Sequence, residues 1–387
     1  MPSSSAISQS FTIIPVASRA QEKAFLDLPY RIYEGEPSWR APLRFERKEQ
    51  LSPHKNPVAA TLTRQLFLAE TGDRVVGRIA AFINPAHQVH HNDKAGHFGY
   101  FDCEADPAVG HALLTAAQNW LLSQGADRMV GPAQWSVNEE CGLLIDGFDT
   151  PPVVMMSHGR VDYQDMVENF GMSKAVDMYA YQADLHAGYP RPRQTQMMVK
   201  IADKDPDITI RPMNTKDFLG DVNIVMDIFN DAWSQNWGFV PFSDEQITHM
   251  AKEIKPLMFK EGLWVGEIEG SPVAYIWMIP DLNEATAGLD GKLLPFGWWT
   301  LVNRLKIKGV KQARIPLMGL RREWHNTKKG LAIVAKLCET VFEAGRQKGF
   351  THCELSWILE DNAGMIRICE QADAKRYKTY RMYEKAL

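Results

Sequence analysis

A short loop in the last third of the sequence has the residue types that hold a phosphate group. In the stretch HNTKKGLAI, at residues 325–333, two lysines stand just before a Gly-x-Ala step, and a helical pattern follows. Backbone N–H groups at the start of a helix lack partners and carry partial positive charge, so a pyrophosphate can bind there. Gly330 has no Cβ to hold the phosphate away, and Lys328 and Lys329 add positive charge. The stretch predicts either the binding loop of a phosphorylated cofactor or a basic turn that leads into a surface helix.

A second stretch, NEECGLLIDGFD at residues 138–149, gathers acidic side chains beside apolar ones. A carboxylate in partly apolar surroundings has a raised pKa, which suits a general base, and next to an amine it can also act as a counter-ion. Adjacent residues of an extended chain point apart, so we expect at most one of Glu139 and Glu140 to face a site. The alternative is a solvated acidic loop. The candidates in this stretch are Asn138, Glu139, Glu140, Cys141 and Asp146.

Length and composition indicate two domains without a strong charge preference. The chain has 387 residues, which is more than one hydrophobic core usually supports. Its net charge is -4, so no basic field favours a nucleic-acid partner. The five cysteines are scattered without a CxxC pair, which indicates reduced thiols of a cytoplasmic protein and no zinc site. We see neither a secretory leader nor the roughly 20 consecutive apolar residues of a membrane-spanning helix.

The order of predicted elements occurs twice. Gly and Pro residues mark a linker at 186–196, and we place an N-terminal domain at 1–187 and a C-terminal domain at 208–387. In each half a β-hairpin comes first, then a strand, a helix and another strand, and finally a helix followed by a strand. The central helix of the first half has Asp106 as its N-cap and Gly125 at its C-terminus. The repeat predicts two similar α/β domains.

This order, with the Gly-x-Ala step that opens the second central helix, resembles the GCN5-related N-acetyltransferase (GNAT) superfamily in a tandem form. The step at 330–332 stands where that family has its pyrophosphate-binding Arg/Gln-x-x-Gly-x-Gly/Ala signature, with Thr327 at the Arg/Gln position. The stretches WSVNEECGLLIDGFDTPP, FNDAWSQNWGFVPFS and ELSWILEDN are similar to a bacterial branch of tandem acyltransferases that includes the bacterial ceramide synthases. Those enzymes move a fatty acyl group from a thioester to the amine of a sphingoid base.

The resemblance implies an α/β fold of two tandem GNAT-like domains, each with a mixed, mainly antiparallel sheet flanked by helices. It also implies acyl-CoA as the acyl donor and no metal. We expect the second half to bind the cofactor. The matching step of the first half, at 110–112, follows Asp102, Glu104 and Asp106 with no lysine or arginine nearby in the sequence. The expected cofactor-binding residues are Thr327, Lys328, Lys329, Gly330, Leu331, Ala332 and Asn362.

For the chemistry, the resemblance implies direct attack of an amine on the thioester. Glu139 or Glu140 is the predicted base or counter-ion. Tyr380 is the predicted proton donor, because the last helix lacks the tyrosine that the superfamily often uses. The alternative for Tyr380 is an aromatic strand residue that packs in a core. A backbone N–H of the strand IPLMGL, at 315–320, is expected to bind the oxyanion.

Residues 293–314 form an insertion between the second predicted hairpin and its central strand. The insertion combines aromatic and aliphatic residues with lysines and arginines, and it contains no acidic residue. Such a composition is typical of an interfacial membrane helix. It also fits an acyl tunnel with a basic mouth, or an amphipathic helix packed on its own domain. Trp298 and Trp299 are therefore candidate substrate contacts.

The sequence thus predicts an N-acyltransferase that uses acyl-CoA and acylates a small-molecule or lipid amine, with a sphingoid base as the leading candidate. We expect it in the cytoplasm, with peripheral contact to the inner membrane surface through 293–314. The alternatives are a small-molecule N-acetyltransferase and a non-catalytic protein that binds acyl-CoA or membranes. The stretch HQVHHND, with His87, His90 and His91, is interpreted as a polar loop without a metal.

Overall fold

The computed structural model describes residues 10–190 and 192–387. Within these ranges thirteen strands form one mixed, mainly antiparallel sheet. They are β1 (Thr12–Pro15), β2 (Thr63–Thr71), β3 (Arg74–Ile83), β4 (Ala95–Cys103), β5 (Arg128–Gly131), β6 (Leu143–Asp146), β7 (Ser173–Asp184), β8 (Ile208–Pro212), β9 (Leu263–Ile268), β10 (Ser271–Pro280), β11 (Gln312–Leu320), β12 (His352–Leu359) and β13 (Lys375–Ala386).

The α-helices that flank the sheet are α1 (Arg19–Ile32), α2 (Arg44–Leu51), α3 (Pro57–Thr61), α4 (Pro85–His91), α5 (Pro107–Ser123), α6 (Tyr163–Asn169), α7 (Arg193–Lys204), α8 (Phe218–Trp233), α9 (Asp244–Ile254), α10 (Leu282–Thr286), α11 (Gly297–Val302), α12 (Lys328–Lys348) and α13 (Ala363–Gln371). A π-helical turn at Asn303–Lys308 continues α11. The predicted α/β class is confirmed.

The sheet runs through both halves of the chain without a break. Its order is β1-β2-β3-β4-β5-β13-β7-β12-β11-β10-β9-β8, and β6 pairs with part of β13. Two neighbouring pairs are parallel, β4 with β5 and β11 with β12, and these are the strand–helix–strand units that the sequence predicts twice. Since the connection in each unit is a long helix, α5 or α12, the strands it joins can lie side by side in the same direction.

The last strand of each half lies between strands of the other half. β13 pairs with β5 and β7, and β7 pairs with β13 and β12. The predicted division into domains at 1–187 and 208–387 stays a prediction. The pairing of these two strands joins the two predicted domains in one sheet. Their side chains are deeply buried, with Tyr380, Met382 and Tyr383 of β13 fully covered.

Alternate residues of β7 show which layer covers each face of the sheet. Tyr181 and Ala183 belong to the core under α12 and α13, whereas Val176 and Met178 belong to the core that contains Trp135. The second core lies under α1 and the segment between β5 and α6. The central sheet therefore has one face covered by helices of the C-terminal half and the other by residues of the N-terminal half.

Two local predictions are wrong, and both errors concern helices. The stretch HQVHHND at 87–93, interpreted as a polar loop, lies largely in α4, because Asn84 accepts hydrogen bonds from the Ala86 and His87 N–H groups and caps the helix in front of Pro85. The predicted linker at 186–196 overlaps the start of α7 at Arg193, and this helix packs near α12. The predicted Asp106 cap of α5 is confirmed by its bond from the Ala108 N–H, at 2.9 Å.

Candidate active site

A gap opens between the two parallel strands of the C-terminal half. β11 and β12 pair from Gln312 to Ile315, opposite His352 to Leu355, and then separate. A β-bulge in this region coincides with the separation, because the register of β11 with β10 shifts between Arg314 and Leu317. Pro316 lies in the bulge and has no N–H, so any backbone donor for an oxyanion in this strand must be a neighbouring residue.

The gap holds a mostly apolar cavity of about 50 Å³, within a wider cleft that is open to solvent. The cavity is lined by residues of three strands, three helices and the segments beside them: Ile276 of β10, Ile315, Pro316 and Met318 of β11, Leu355, Ser356, Trp357, Ile358 and Leu359 of β12, Trp233 of α8, Cys338 and Phe342 of α12, Met365, Ile368 and Cys369 of α13, and Tyr189, Asn236 and Ala372 outside these elements. Asn362, a predicted cofactor contact, also lines the cavity.

The N-terminus of α12 follows the end of β11. Thr327 is its N-cap and accepts a hydrogen bond from the Gly330 N–H at 3.0 Å. Within the described ranges no acceptor lies against the N–H groups of Lys328 and Lys329, which is the arrangement that binds anions at helix starts. Gly330 is also required by its own turn, because a Cβ there would lie 2.1 Å from the carbonyl oxygen of Trp324.

The positive charges around this helix start are largely paired. Lys329 contacts Asp207 at 2.6 Å, and Arg322 contacts Asp231 at 3.2 Å. Arg321 also forms an ion pair, with Asp227. Lys328 is exposed and forms no ion pair within the described ranges. Lys328 and the free N–H groups therefore supply the positive potential at this position.

The corresponding gap of the N-terminal half is closed by the chain itself. The Ala133 N–H donates to the Phe98 carbonyl at 2.9 Å, so the segment after β5 stays attached to β4. A Cβ on Gly99 would lie 1.8 Å from the Ala133 carbonyl oxygen, and one on Gly110 would lie 2.8 Å from the Met166 sulfur. Glycine at these positions lets the neighbouring segments touch, so the two strands do not separate here as β11 and β12 do.

The acidic residues before α5 have arginines beside them, contrary to the expectation from their sequence neighbours. The folded chain brings these arginines in from β3 and α1. Asp102 contacts Arg78 at 2.6 Å, and Glu104 contacts Arg31 at 2.6 Å and Arg74 at 2.9 Å. Each arginine is already neutralised by a carboxylate, so the cluster offers no free positive charge to a pyrophosphate.

A buried polar cluster, which the sequence did not predict, borders the cavity of the C-terminal half. Its centre is Glu354 of β12, whose carboxylate accepts hydrogen bonds from the hydroxyls of Ser356 and Tyr377. Arg314 donates from Nε to the Ser356 hydroxyl oxygen at 3.0 Å and from Nη1 to the Val154 carbonyl at 2.7 Å. Burial raises the pKa of the Glu354 carboxyl above its usual value. Because Ser356 also lines the cavity, the cluster can exchange protons with a group bound there.

Two residues of β13 extend the cluster. Lys378 is fully buried and donates from Nζ to the carbonyl oxygens of Gly147 and Thr150, and burial lowers its pKa to about 8. Tyr380, the predicted proton donor, is fully buried, and its hydroxyl has no hydrogen-bond partner in the part of the chain that the structure describes. It does not line the cavity. Its role as a catalytic residue stays a prediction.

The acidic stretch lies against α2 and away from the cavity. Glu139 accepts from Gln50 Nε2 at 2.7 Å, and Glu140 forms an ion pair with Arg47. Burial raises the pKa of Glu139 to about 7, as expected for a partly apolar environment. Neither carboxylate lines the cavity between β11 and β12.

The other candidates of the stretch have separate surroundings. Cys141 is buried with Tyr380 in the same core, and Asp146 is exposed at the end of β6, paired with Thr379. Asn138 reaches the other half of the chain, where its Nδ2 donates to the Val240 carbonyl at 2.9 Å. Val240 follows the segment that brings Trp233 and Asn236 to the cavity. The stretch therefore helps to hold one wall of the cavity in place.

The remaining predicted sites lie apart from the cavity. Trp298 and Trp299 are on the surface, with neither in the cavity wall. Within residues 10–190 and 192–387 no group of three or more His, Cys, Asp or Glu side chains could hold a metal ion. Over the same residues, no helix has both the length and the apolar character needed to cross a membrane. The five cysteines are buried and free.

Comparison with known proteins agrees with the geometry of the fold. The chain is 40% identical over 377 residues to bacterial ceramide synthase of Caulobacter vibrioides, and the match spans 97% of each chain. It is 40% identical over 365 residues to protein YghO of Escherichia coli, with 94% of this chain and 93% of that one covered. No family model matches the chain.

Among solved structures, a tandem GNAT protein from the clavulanic acid biosynthesis pathway has a TM-score of 0.55 at 11% identity. The match covers 97% of this chain and 98% of that one. A GCN5-related N-acetyltransferase from Sphaerobacter thermophilus has a TM-score of 0.51 at 12% identity, with 97% of this chain and 95% of that one covered. These likenesses show the fold. The two relatives show that the chain belongs to the family that includes bacterial ceramide synthase and that it is an N-acyltransferase, and its fold is that of tandem GNAT proteins.

Proposed function

We propose that the protein is an acyl-CoA-dependent N-acyltransferase that acylates the amine of a lipid-like acceptor such as a sphingoid base. The observation that carries the proposal is the apolar cavity between β11 and β12. Its wall extends from Asn362, at the start of α13, to Cys369 and Ala372 at the other end of this helix. An acyl chain gains about 0.8 kcal/mol for each buried CH₂ group, so such a cavity favours a fatty acyl group over an acetyl group. The name of the Caulobacter relative supports the acceptor class.

The C-terminal half would hold the donor. The backbone N–H groups of Lys328 and Lys329 would bind the pyrophosphate, and the Lys328 side chain would supply positive charge. Thr327 and Gly330 shape this turn, and 331–332 continue the helix. When bound, acyl-CoA supplies the activated carbonyl carbon at which the C–N bond forms and the C–S bond breaks.

The polar cluster would move the proton of the acceptor amine. Ser356 would accept it at Oγ and pass its own hydroxyl proton to the Glu354 carboxylate, which it already contacts. Arg314 keeps the Ser356 oxygen oriented through its Nε bond. The proton would then return by the same route to the sulfur that leaves, so that the products are an amide and a thiol. Glu139 and Glu140, the predicted bases, would instead hold the segment that carries Asn138.

The experiment that tests the proposal is mass spectrometry of products. Purified protein is incubated with sphinganine and acyl-CoAs from acetyl to stearoyl, and the N-acyl product is quantified against the Glu354→Gln variant. We expect product with long-chain donors and little with acetyl-CoA. Product only from acetyl-CoA and small amines would favour a small-molecule acetyltransferase. Binding of acyl-CoA without product from any amine would favour a non-catalytic binding protein.

Asn138→Ala is expected to weaken the use of long-chain donors. The substitution removes the bond to the Val240 carbonyl and so loosens the segment that carries Asn236 to the cavity, which would hold the acyl chain. One lost hydrogen bond costs about 0.5–1.5 kcal/mol, so KM for a long-chain acyl-CoA should rise by roughly 2- to 10-fold. The matched control is Asn283→Ala, which removes a similar bond, of 3.0 Å, to the Pro152 carbonyl. Equal effects of both variants on the KM of the long-chain donor would contradict the role of Asn138.

We propose that the protein works in the cytoplasm, with peripheral contact to the inner membrane surface. A long-chain amine partitions into a bilayer, since each CH₂ group favours an apolar environment by about 0.8 kcal/mol. An enzyme that acylates it must therefore either extract the acceptor or work at the surface of the bilayer.

A further inference from the structure

The insertion at 293–314 has an exposed side of large apolar residues. Leu294 is 81% exposed, Phe296 75%, Ile307 69%, Trp299 55% and Trp298 49%. They come from α11, the turn before it and the π-helical turn after it, so they lie close together in the chain. Scattered single apolar residues are common on protein surfaces, but a contiguous group of this kind marks a surface that binds something.

The other side of the insertion is fixed to the C-terminal half. Leu301 and Leu305 pack against the core under α12, and Arg304 donates to the carbonyl oxygens of Ala285 at 3.0 Å and Ala287 at 2.6 Å. The exposed side chains therefore stand on a supported segment with a defined orientation. The apolar residues on the outside are not needed to hold the insertion in place.

Charge indicates which partner covers this surface. Lys292, Lys306, Lys308 and Lys311 lie close to these residues in the chain, all exposed, and none forms an ion pair in the part of the chain described. The insertion itself contains no acidic residue, and the nearest one before it is Asp290. Tryptophan and phenylalanine beside unpaired lysines match the layer of headgroups and upper acyl chains of an anionic bilayer. A hydrophobic protein partner would not require these four lysines.

The elements on both sides of the insertion are tied to Val154. The insertion follows α10, which begins after Asp281, and the Asp281 carboxylate accepts from the Val154 N–H at 2.8 Å. The insertion leads into β11 at Arg314, which donates to the Val154 carbonyl at 2.7 Å. The two ends of the segment are therefore anchored to one point of the C-terminal core.

We propose that the side of 293–311 formed by Leu294, Phe296, Trp298, Trp299 and Ile307 docks on the surface of an anionic lipid bilayer. The apolar side chains enter the headgroup layer, and the four lysines bind anionic headgroups. The proposal rests on the peripheral membrane contact proposed above and names the surface that makes it. Binding is measured without substrate, so its failure is distinguishable from a failure of the acyl transfer reaction.

The test is flotation of the full chain with vesicles of phosphatidylcholine, with and without phosphatidylglycerol. We expect binding to the anionic vesicles, weakened by salt. Replacing Phe296, Trp298 and Trp299 together by serine should lower this binding by about tenfold or more. Lys306→Glu with Lys308→Glu should reduce binding to anionic vesicles and leave binding to neutral vesicles unchanged.

The controls separate this surface from other exposed residues and from self-association. Val89 and Val161 are exposed apolar residues of the N-terminal half, and their replacement by serine should leave flotation unchanged. Flotation of the triple serine variant at the wild-type level overturns the proposal. Analytical ultracentrifugation tests whether a second copy of the chain covers this surface instead. The proposal is overturned if the wild type is a dimer, the triple variant is a monomer, and both bind vesicles equally.

Discussion

Ser356→Ala is expected to lower kcat by about 100-fold or more, while KM for acyl-CoA changes little. Ser356 is the member of the polar cluster that lines the cavity, and its hydroxyl donates to Glu354. Without the hydroxyl, the amine proton has no route to the carboxylate. Steady-state kinetics with a long-chain donor and sphinganine measures the effect. Ser157→Ala, at a partly buried serine whose hydroxyl contacts the Cys141 carbonyl at 3.4 Å, is the control and should keep normal turnover.

The same relay predicts a pH dependence. Glu354 accepts the proton only when it is ionised, so activity should fall as pH falls through its pKa, which burial raises above the usual value of a carboxyl group. In Glu354→Gln this acidic limb should disappear, together with most of the activity. If the loss of activity at low pH persists in Glu354→Gln, the titrating group is a residue other than Glu354. Wild-type turnover in Ser356→Ala would remove the relay from the mechanism.

Ala372→Leu is expected to change which acyl chains are used. Ala372 lines the cavity near the end of α13 and is buried, so a larger side chain takes space that a long acyl chain would need. Excluding two or three CH₂ groups, at about 0.8 kcal/mol each, lowers kcat/KM for the longest donors by roughly 10- to 60-fold. Short donors should be used as before. Competition between stearoyl-CoA and a short-chain acyl-CoA, read by mass spectrometry, measures the ratio.

The control for this substitution is Ala374→Leu. Ala374 belongs to the same core but does not line the cavity. Any general loosening of the core should appear in both variants, and a change in chain-length preference should appear only in Ala372→Leu. An equal loss with short and long donors in Ala372→Leu would mean that the acyl chain lies elsewhere.

The elements that position the cavity were predictable because each has a local signal. α12 carries apolar residues at helical spacing, with Leu337, Val341 and Phe342 buried on one face, and ends before Gly349. β12 spans the predicted stretch HCELSWIL. Both signals depend on neighbours along the chain, which is why the sequence contains them. The Gly-x-Ala step at 330–332 likewise lies at the start of α12, as expected.

The polar cluster has only a weak local signal. Glu354 and Ser356 are two residues apart in a strand, so alternation alone places them on one side. A charged residue inside an otherwise apolar strand is unusual and could have drawn attention to Glu354. Its partners could not be found in this way. Arg314 lies 42 positions before Ser356 in the chain, and Tyr377 reaches Glu354 at a register shift in β13 between Arg376 and Lys378.

β7 and β13 each lie between strands of the other half of the chain, and this has a consequence for how the protein is synthesised. A ribosome delivers the first half long before the last strand, so during synthesis β5 has an open edge where β13 will later pair. An unpaired edge strand invites pairing with other chains. The N-terminal half can complete its sheet only when β13 has emerged. A truncation that removes β13 would therefore damage the half of the protein that was synthesised first.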